Sequence, residues 1–382
     1  MLGLLRYYVE PIAAACLLFP IIAGLFTLPF AVANYRKYGG IAVMRVMVVY
    51  SFILYLMCVY LLTVLPLPTR EAVEAMEPHA IGWVPFKDLY IAAGKAGLSF
   101  SGIKDAGAWK RWLTSDDMFQ FAANVAMLMP LGFYLRYYFR LSLRTTVIIG
   151  LGASLFFELT QLTGLYFIYP KAYRFTQMDD LIANTLGALL GWVITPLLAL
   201  VLPSREEIDR ISYEKGEHVT VVRRAFAALT DVLAFALLAA AGAWISAGLP
   251  KAPVFWTVLG IWIAYFILAP CICRGRTAGQ ALLKLRTVAD DGESPASFWQ
   301  LAWRNFLFYG AGAAAAFLCA CLLAGVAFTL MEETVSGWTK LLLLDGGLIL
   351  PVVCFIIVIR SHKKWSALPH SRWSRTMLVA TE

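Results

Sequence analysis

The sequence has little charge. Only 15% of its 382 residues are Asp, Glu, Lys or Arg, whereas 60% are hydrophobic, and the mean hydropathy is +0.72. Soluble domains carry charge on about a quarter of their residues and apolar side chains on about half. This composition therefore excludes a soluble enzyme and a disordered chain.

Metal-binding and catalytic patterns are also missing. The four histidines are scattered, and the seven cysteines fall inside or beside apolar runs, without the second pair or nearby histidine that a zinc site needs. The chain contains no H-E-x-x-H segment, no nucleophile elbow and no Walker loop. We therefore predict no metal and no cofactor, and catalysis stays unassigned.

Long apolar runs are abundant. A helix needs about 20 apolar residues to cross the hydrocarbon core of a bilayer. Nine stretches reach this length: 12–33, 46–66, 118–138, 145–168, 181–202, 225–247, 254–273, 306–330 and 341–359. The sequence predicts an all-α, polytopic transmembrane helical bundle of about nine spans. We expect the first span to stay uncleaved, because it is longer than a signal-peptide core and basic residues follow it.

Lys and Arg are distributed unevenly between these runs. The net charge is +8, and 21 of the 32 basic residues lie in five segments: 34–45, 136–144, 203–224, 274–304 and the stretch from residue 360 onward. The short segments on the other side hold 5, and the long loop 67–117, where the charge rule is weak, holds 6. The positive-inside rule places the N-terminus outside and the C-terminus in the cytoplasm. The surplus suits anionic lipid, so we expect membrane lipids, and no nucleic acid, as partners.

A polar interruption divides the chain. Residues 203–224 carry charges of both signs between apolar runs. We predict a cytoplasmic linker there, between a five-span unit, residues 1–202, and a four-span unit, residues 225–382. The loop 67–117 is the one sizeable extracytoplasmic segment in this topology, and we expect it to hold short interfacial helices.

Polar residues cluster at one level of the first unit. Charged groups inside spans are costly and are therefore candidates for function. The predicted topology brings together Asn124, Glu158, Gln161, Arg174, Asp179, Asp180 and Asn184 on the outer side. Either these residues form a ligand site or they form a structural ion-pair network, with Arg174 paired to Asp180. Gly187 and Gly191 share a face with Asp180 and Asn184, and a G-x-x-x-G pair allows another helix to approach closely.

A second pair lies toward the inner side. Arg224 and Asp231 are seven residues apart and share one helix face. A cation, either Arg223, Arg224 or one from 274–304, is the expected partner of Asp231. A structural anchor and an ion or substrate site both remain open. The basic, amphipathic loop 274–304 suits the inner membrane surface, where it would meet anionic lipid.

These motifs resemble two families in tandem. Residues 46–200 resemble the VanZ-like family through Pro85-Phe86, Asn124 with Pro130-Leu131-Gly132, Glu158 with Gln161, and the segment from Arg174 to Trp192. Residues 220–320 resemble the RDD family, named for one Arg and two Asp, through Arg224, Asp231 and GRTAGQALLKLRTVADDG, with Asp290 or Asp291 as the second Asp. Gln177 and Gln280 depart from residues common in these families.

The resemblance implies a multi-pass protein of the bacterial inner membrane. VanZ-like proteins are associated with resistance to glycopeptide antibiotics, and RDD proteins with transport. Three functions remain open. The outer polar site binds an amphipathic ligand, such as an antibiotic or a lipid-linked envelope precursor, with Arg174 meeting an anionic head group. Alternatively, Glu158 and Asp231 carry protons or ions in a transporter, or the carboxylates serve a membrane-embedded enzyme. A homo-oligomer is compatible with each.

Overall fold

The computed structural model describes residues 2–77, 81–98, 105–248, 254–312, 314 and 369–381. The described chain is mostly helical. The helices of the first half are α1 Leu2–Tyr38, α2 Val43–Val64, α3 Arg70–Ala75, α4 Lys87–Lys95, α5 Ala106–Leu113, α6 Asp116–Tyr137, α7 Leu143–Leu162, α8 Gly164–Phe167 and α9 Met178–Leu198, which continues as a 3-10 turn over Ala199–Val201.

The second half mixes helices with two short strands. Its elements are α10 Arg205–Gly216, α11 Val221–Ala247, α12 Val254–Ile263, a π-helical stretch Ala264–Leu268, α13 Ala269–Ile272, α14 Ala278–Leu282, β1 Leu285–Ala289, α15 Phe298–Asn305, a second π-helical stretch Phe306–Gly312, α16 Pro369–Ser374 and β2 Thr376–Ala380.

Within the described ranges, seven helices are long and apolar enough to cross a membrane. They are Val9–Tyr38, Val43–Val64, Asp116–Tyr137, Leu143–Leu162, Met178–Val201, Val221–Ala247 and Val254–Ile272. They correspond to the first seven predicted spans. Most of the predicted span 306–330, and all of 341–359, lie outside the described residues. The chain is therefore a multi-pass membrane protein.

Hydroxyl side chains define where several spans begin. Ser115 Oγ accepts from the Met118 N–H at the start of α6, and Ser142 Oγ accepts from the Thr145 N–H at the start of α7, both at 3.3 Å. Thr220 caps α11 in the same way. Such caps satisfy N–H groups that have no partner inside the helix.

The chain divides into two compact units. The first comprises Met1–Thr27 and Val43–Asp209, and the second comprises Leu28–Ala42 and Arg210–Glu382. The segment predicted as a linker contains α10, and Asp209 of this helix pairs with Arg45 and Arg205 in the first unit.

Close packing of α6 against α9 organises the first unit. A Cβ atom at Gly187 would overlap the carbonyl oxygen of Val125, and one at Gly191 would overlap that of Met129. Gly132 of α6 meets the carbonyl oxygen of Ala188 in the same way. Only glycine lets the two backbones approach this closely. This approach places the polar residues of both helices side by side.

The loop between α2 and α6 is tied to the start of α9. The described part of residues 67–117 contains the three short helices α3, α4 and α5. Gly82 N–H donates to the Thr176 carbonyl and Met178 N–H donates to the Gly82 carbonyl, both at 2.9 Å. The loop therefore covers the N-terminal end of α9.

Strands β1 and β2 form a small antiparallel sheet in the second unit. Leu285 pairs with Ala380 and Ala289 pairs with Thr376. Leu285 and Leu378 are buried in a core with Ala31, Tyr35 and Ala227. The all-α prediction therefore missed this element, because a buried five-residue strand inside a basic loop has no strong sequence signal. The amphipathic segment after Thr277 is a short helix followed by β1.

Candidate functional site

A large cavity lies in the first unit. Its volume is about 970 Å³, at the upper end of the range for small-molecule sites in proteins. Helices α2, α6, α7 and α9 and the segment before α9 contribute its lining. Its residues are Tyr55, Cys58, Val59, Leu62, Thr63, Asp116, Phe119, Gln120, Ala123, Asn124, Ala126, Met127, Pro130, Phe157, Glu158, Gln161, Tyr173, Arg174, Phe175, Asp180 and Asn184.

The structure brings together six of the seven polar residues singled out from the sequence. Asn124, Glu158, Gln161, Arg174, Asp180 and Asn184 all line the cavity. Aromatic and aliphatic side chains form much of the remaining wall. The cavity therefore combines a polar region with an apolar one, as an amphipathic molecule requires.

Asp179 is the seventh residue, and it lies outside this cavity. Its Oδ1 accepts a hydrogen bond of 2.5 Å from the Phe86 N–H. Gln177 Nε2 donates to Asp88 Oδ2 at 2.9 Å beside it. The two contacts hold the residue before α4 and the first turn of α4 against the start of α9, so Asp179 anchors the entry to α4.

Three side chains of the cavity wall satisfy the C-terminal end of α2. Gln161 Nε2 donates to the Thr63 carbonyl at 3.0 Å, and Tyr173 Oη donates to the Val64 carbonyl at 3.0 Å. Arg174 donates to the carbonyls of Leu62 and Leu65. The last carbonyls of a helix lack partners within it, and a cation there is favourable to the helix dipole. Arg174 and Gln161 therefore fix the end of α2, and the pairing of Arg174 with Asp180 stays a prediction.

Asn124, Asp180 and Asn184 join three helices. Asn124 Nδ2 donates to Asp180 Oδ1, which links α6 to α9. Asn184 Nδ2 donates to Ser154 Oγ of α7 at 3.0 Å. These bonds hold the polar part of the wall in one geometry.

Two acceptor atoms in the wall receive no hydrogen bond from the residues that the structure describes. Glu158 is only 7% exposed. In the described part of the chain, its Oε2 and the Oδ1 of Asn184 are buried and accept no hydrogen bond. A buried acceptor without a donor is costly. Because both residues line the cavity, a bound donor group is a natural way to remove that cost.

The sequence did not single out Tyr55, Tyr173, Asp116 or Gln120, which also line the cavity. Tyr55 and Tyr173 belong to apolar or aromatic surroundings in which a hydroxyl gives no sequence signal. Asp116 is in the first turn of α6, where an acidic residue is explained by helix-end electrostatics alone.

Asp231 is the centre of a separate polar cluster in the second unit. It is 0% exposed. Tyr265 Oη donates to Oδ1 at 3.0 Å, Thr277 Oγ1 to Oδ2 at 2.5 Å, Gly279 N–H to Oδ1 at 2.7 Å and Tyr309 Oη to Oδ2 at 2.6 Å. The prediction that a cation pairs with Asp231 was wrong, because all four of these hydrogen-bond donors are neutral.

This cluster explains the spacing of Gly275, Thr277 and Gly279, the G-x-T-x-G pattern at the start of the segment GRTAGQALLKLRTVADDG. Thr277 caps α14 and also binds Asp231, while Gly279 presents its N–H to the same carboxylate. A Cβ at Gly279 would overlap the Ala227 carbonyl oxygen. The motif therefore joins α14 to α11 through Asp231.

Arg224 and Asp231 do not line the same cavity among the described residues, and their joint site stays a prediction. Arg224 lines a cavity of about 210 Å³ that Asp231 does not line. Arg223 donates to the carbonyls of Leu283 and Lys284 at 2.9 and 3.0 Å. Of the two candidates for a second Asp, Asp291 accepts from the N–H groups of Glu293 and Ser294 in a turn.

No group of three or more His, Cys, Asp or Glu side chains able to hold a metal ion occurs among the described residues. The carboxylates of the first cavity are thus placed among amides, hydroxyls and one guanidinium. Such a wall is able to bind a ligand through hydrogen bonds and charge.

Comparison with protein families separates the same two regions. The VanZ/LLP1 family model matches residues 52–199, and the RDD family model matches residues 219–365. The RDD match extends beyond the predicted limit of residue 320 and includes the predicted ninth span. No curated protein and no solved structure matches the chain. The chain is thus a multi-pass membrane protein in which regions matching the VanZ/LLP1 and RDD families follow each other in tandem.

Proposed function

We propose that the VanZ-like domain binds an amphipathic ligand of the bacterial cell envelope through a head group rich in N–H donors or bearing an amine. The ligand class is a glycopeptide antibiotic with a lipid tail or a lipid-linked envelope precursor. In this proposal the protein resides in the bacterial inner membrane, with the cavity toward the outer side.

The observation that carries the proposal is the surplus of acceptors in the cavity wall. Asp116, Glu158 and Asp180 supply three carboxyl groups, against the one guanidinium of Arg174. Arg174 already donates to the end of α2, whereas Glu158 Oε2 accepts no hydrogen bond from the described residues. This favours a donor head group over the anionic one that the sequence suggested. Charge-assisted hydrogen bonds contribute about 1.5–3 kcal/mol each.

Apolar side chains support an amphipathic ligand. Val59, Leu62, Phe119, Met127 and Phe157 line the same cavity. An acyl chain or aromatic group gains about 25 cal/mol for each Å² of apolar surface that it buries. Tail and head group would therefore both contribute to affinity.

The test compares two forms of one ligand. The full-length protein in uncharged detergent is titrated with a lipoglycopeptide that has a free primary amine, and with the same compound after N-acetylation. We expect the amine to bind about tenfold tighter or more, because about 1.4 kcal/mol corresponds to a factor of ten. Glu158→Gln should remove most of this preference.

Asp117→Asn is the matched control. Asp117 is next to Asp116 on α6 but does not line the large cavity, so this variant should keep the preference for the amine. Equal affinity of the wild type for both compounds would contradict a donor head group. Absence of binding by both compounds would contradict a glycopeptide antibiotic as the ligand.

A further inference from the structure

The second unit contains a cavity whose described lining is cationic. It has a volume of about 210 Å³ and lies between α11, α14, α15 and α16. A single water needs only about 10–15 Å³ of such volume, so the cavity accommodates a larger occupant. Its described lining comprises Val221, Arg224, Ala225, Ala227, Ala228, Gln280, Arg304, Asn305, Phe308, Tyr309, His370 and Leu378, none of them Asp or Glu.

The strongest observation in this cavity is that Arg304 is a buried cation with neutral hydrogen-bond partners. It is 5% exposed, and its Nη1 donates to Ser371 Oγ at 3.2 Å and to Thr376 Oγ1 at 3.0 Å. Both partners are neutral. A buried charge is normally paired with an opposite one, because desolvation of an uncompensated ion costs several kcal/mol. A guanidinium held by hydroxyl groups at a cavity wall therefore favours an anion in that cavity.

The neighbours of Arg304 increase the positive potential. Arg224 lines the same cavity and is close enough to disfavour the charged form of Arg304. Burial, and then Arg224, lowers the pKa of Arg304 to about 10. The side chain consequently remains a cation at neutral pH, and a second arginine lines the same cavity.

Neutral donors complete the lining. Burial, and then Arg304 and Arg224, lowers the pKa of His370 to about 3, so its imidazole is neutral at pH 7 and has one N–H to donate. Gln280 accepts from the Thr277 N–H through its Oε1, and its amide nitrogen is a further donor. Two guanidinium groups with neutral donors match an oxyanion that has several acceptor oxygens.

We propose that this cavity binds a phosphate group, with Arg224 and Arg304 as its charged contacts and Gln280 and His370 as neutral donors. The group comes from an anionic lipid head group or from free inorganic phosphate. The site is independent of the cavity proposed above for an amphipathic ligand.

Thermal unfolding of the full-length protein in uncharged detergent tests the proposal. The first comparison is inorganic phosphate against sodium chloride at equal ionic strength. The second is micelles containing short-chain phosphatidic acid against micelles containing phosphatidylcholine. A ligand that binds only the folded state raises Tm, and we expect an increase of about 3 °C or more with at least one phosphate probe. An increase with phosphatidic acid alone identifies a lipid source, and one with both probes identifies a general phosphate site.

Matched variants locate the effect. Arg304→Gln and Arg224→Gln should lose the increase, whereas Arg372→Gln, at an exposed arginine of α16 outside the cavity lining, should keep it. If Arg304→Gln does not fold, Arg224→Gln and His370→Ala decide the result. The proposal is overturned if neither probe changes the Tm of the wild type. It is also overturned if Arg224→Gln and His370→Ala both keep the full increase in Tm.

Discussion

The Tyr55 hydroxyl donates to the Met127 carbonyl at 2.8 Å and accepts from the Leu131 N–H at 3.2 Å. These two main-chain groups of α6 would pair with each other in an undisturbed α-helix. Pro130 lies between them in the sequence and interferes with the local hydrogen-bond ladder. A side chain of α2 thus satisfies the disturbed turn, and all three residues Tyr55, Met127 and Pro130 line the large cavity.

Tyr55→Phe should destabilise the first unit. The change removes one donor and one acceptor and leaves the Leu131 N–H without its side-chain partner, at an expected cost of about 1–3 kcal/mol. Thermal unfolding in detergent measures the loss. Tyr90→Phe is the control, because Tyr90 is 81% exposed. Equal Tm values for the two variants would mean that the hydroxyl does not support α6.

Gly191→Ala should prevent close packing of α6 and α9. The added methyl group would overlap the Met129 carbonyl oxygen, which is backbone and cannot rotate away. Overpacking typically costs about 1–3 kcal/mol, and ligand affinity should fall because the cavity wall moves. Gly152→Ala on α7 meets no atom within 4 Å and should leave stability equal or slightly higher. Size-exclusion profiles and Tm values of the two variants make the comparison.

Glu158 and Asp231 distinguish ligand binding from proton-coupled transport. Transport would require both to titrate, and neither Glu158→Gln nor Asp231→Asn can carry a proton. Under the binding proposal, the wild type in proteoliposomes shows no pH-gradient-driven flux. Glu158→Gln then weakens ligand binding, and Asp231→Asn acts through stability, because an amide cannot accept four hydrogen bonds as the carboxylate does. Flux in the wild type that both substitutions abolish would replace our proposal with a transporter.

His370 should make the second unit sensitive to mild acid. Its pKa is about 3 in the folded protein, chiefly because of burial and then because of Arg304 and Arg224, whereas an unfolded histidine titrates near 6.5. The unfolded state therefore binds more protons between these values, and stability falls as the pH falls below about 6.5. The expected loss from pH 7 to pH 5 is about 2 kcal/mol. His370→Gln should lack this part of the pH dependence of Tm, and an unchanged profile would contradict the buried neutral imidazole.

Reporter fusions test the orientation. The charge distribution predicts that fusions at Lys37 and Lys215 report the cytoplasm and that a fusion at Gly94 reports the outside. The large cavity would then face outward. The opposite pattern at two of the three sites would reverse the topology and move the proposed ligand site to the cytoplasmic side.

Hydropathy and local sequence signals determined the positions of the membrane spans, several helix starts and part of the candidate site. The first seven apolar runs correspond to the seven long apolar helices of the described chain, because a bilayer imposes a minimum length on any span. Ser115, Ser142 and Thr220 mark helix starts through local capping. Helical spacing and topology alone grouped Asn124, Glu158 and Asn184, which the structure places in one cavity.

Contacts between segments that are distant in the sequence decided which groups pair with each other. Arg174 caps the end of α2, 109 residues before it in the chain, and Asp231 is surrounded by neutral donors in place of a cation. Strand β1 pairs with a strand about 90 residues later, and Arg304 donates to Ser371 and Thr376, which follow it by 67 and 72 residues. The periodicity of a sequence shows which face of a helix is polar, but it does not identify the residues that contact this face. Only the tertiary structure supplies the partner, because hydrogen bonds and ion pairs depend on distances of a few ångströms between segments that are far apart in the sequence.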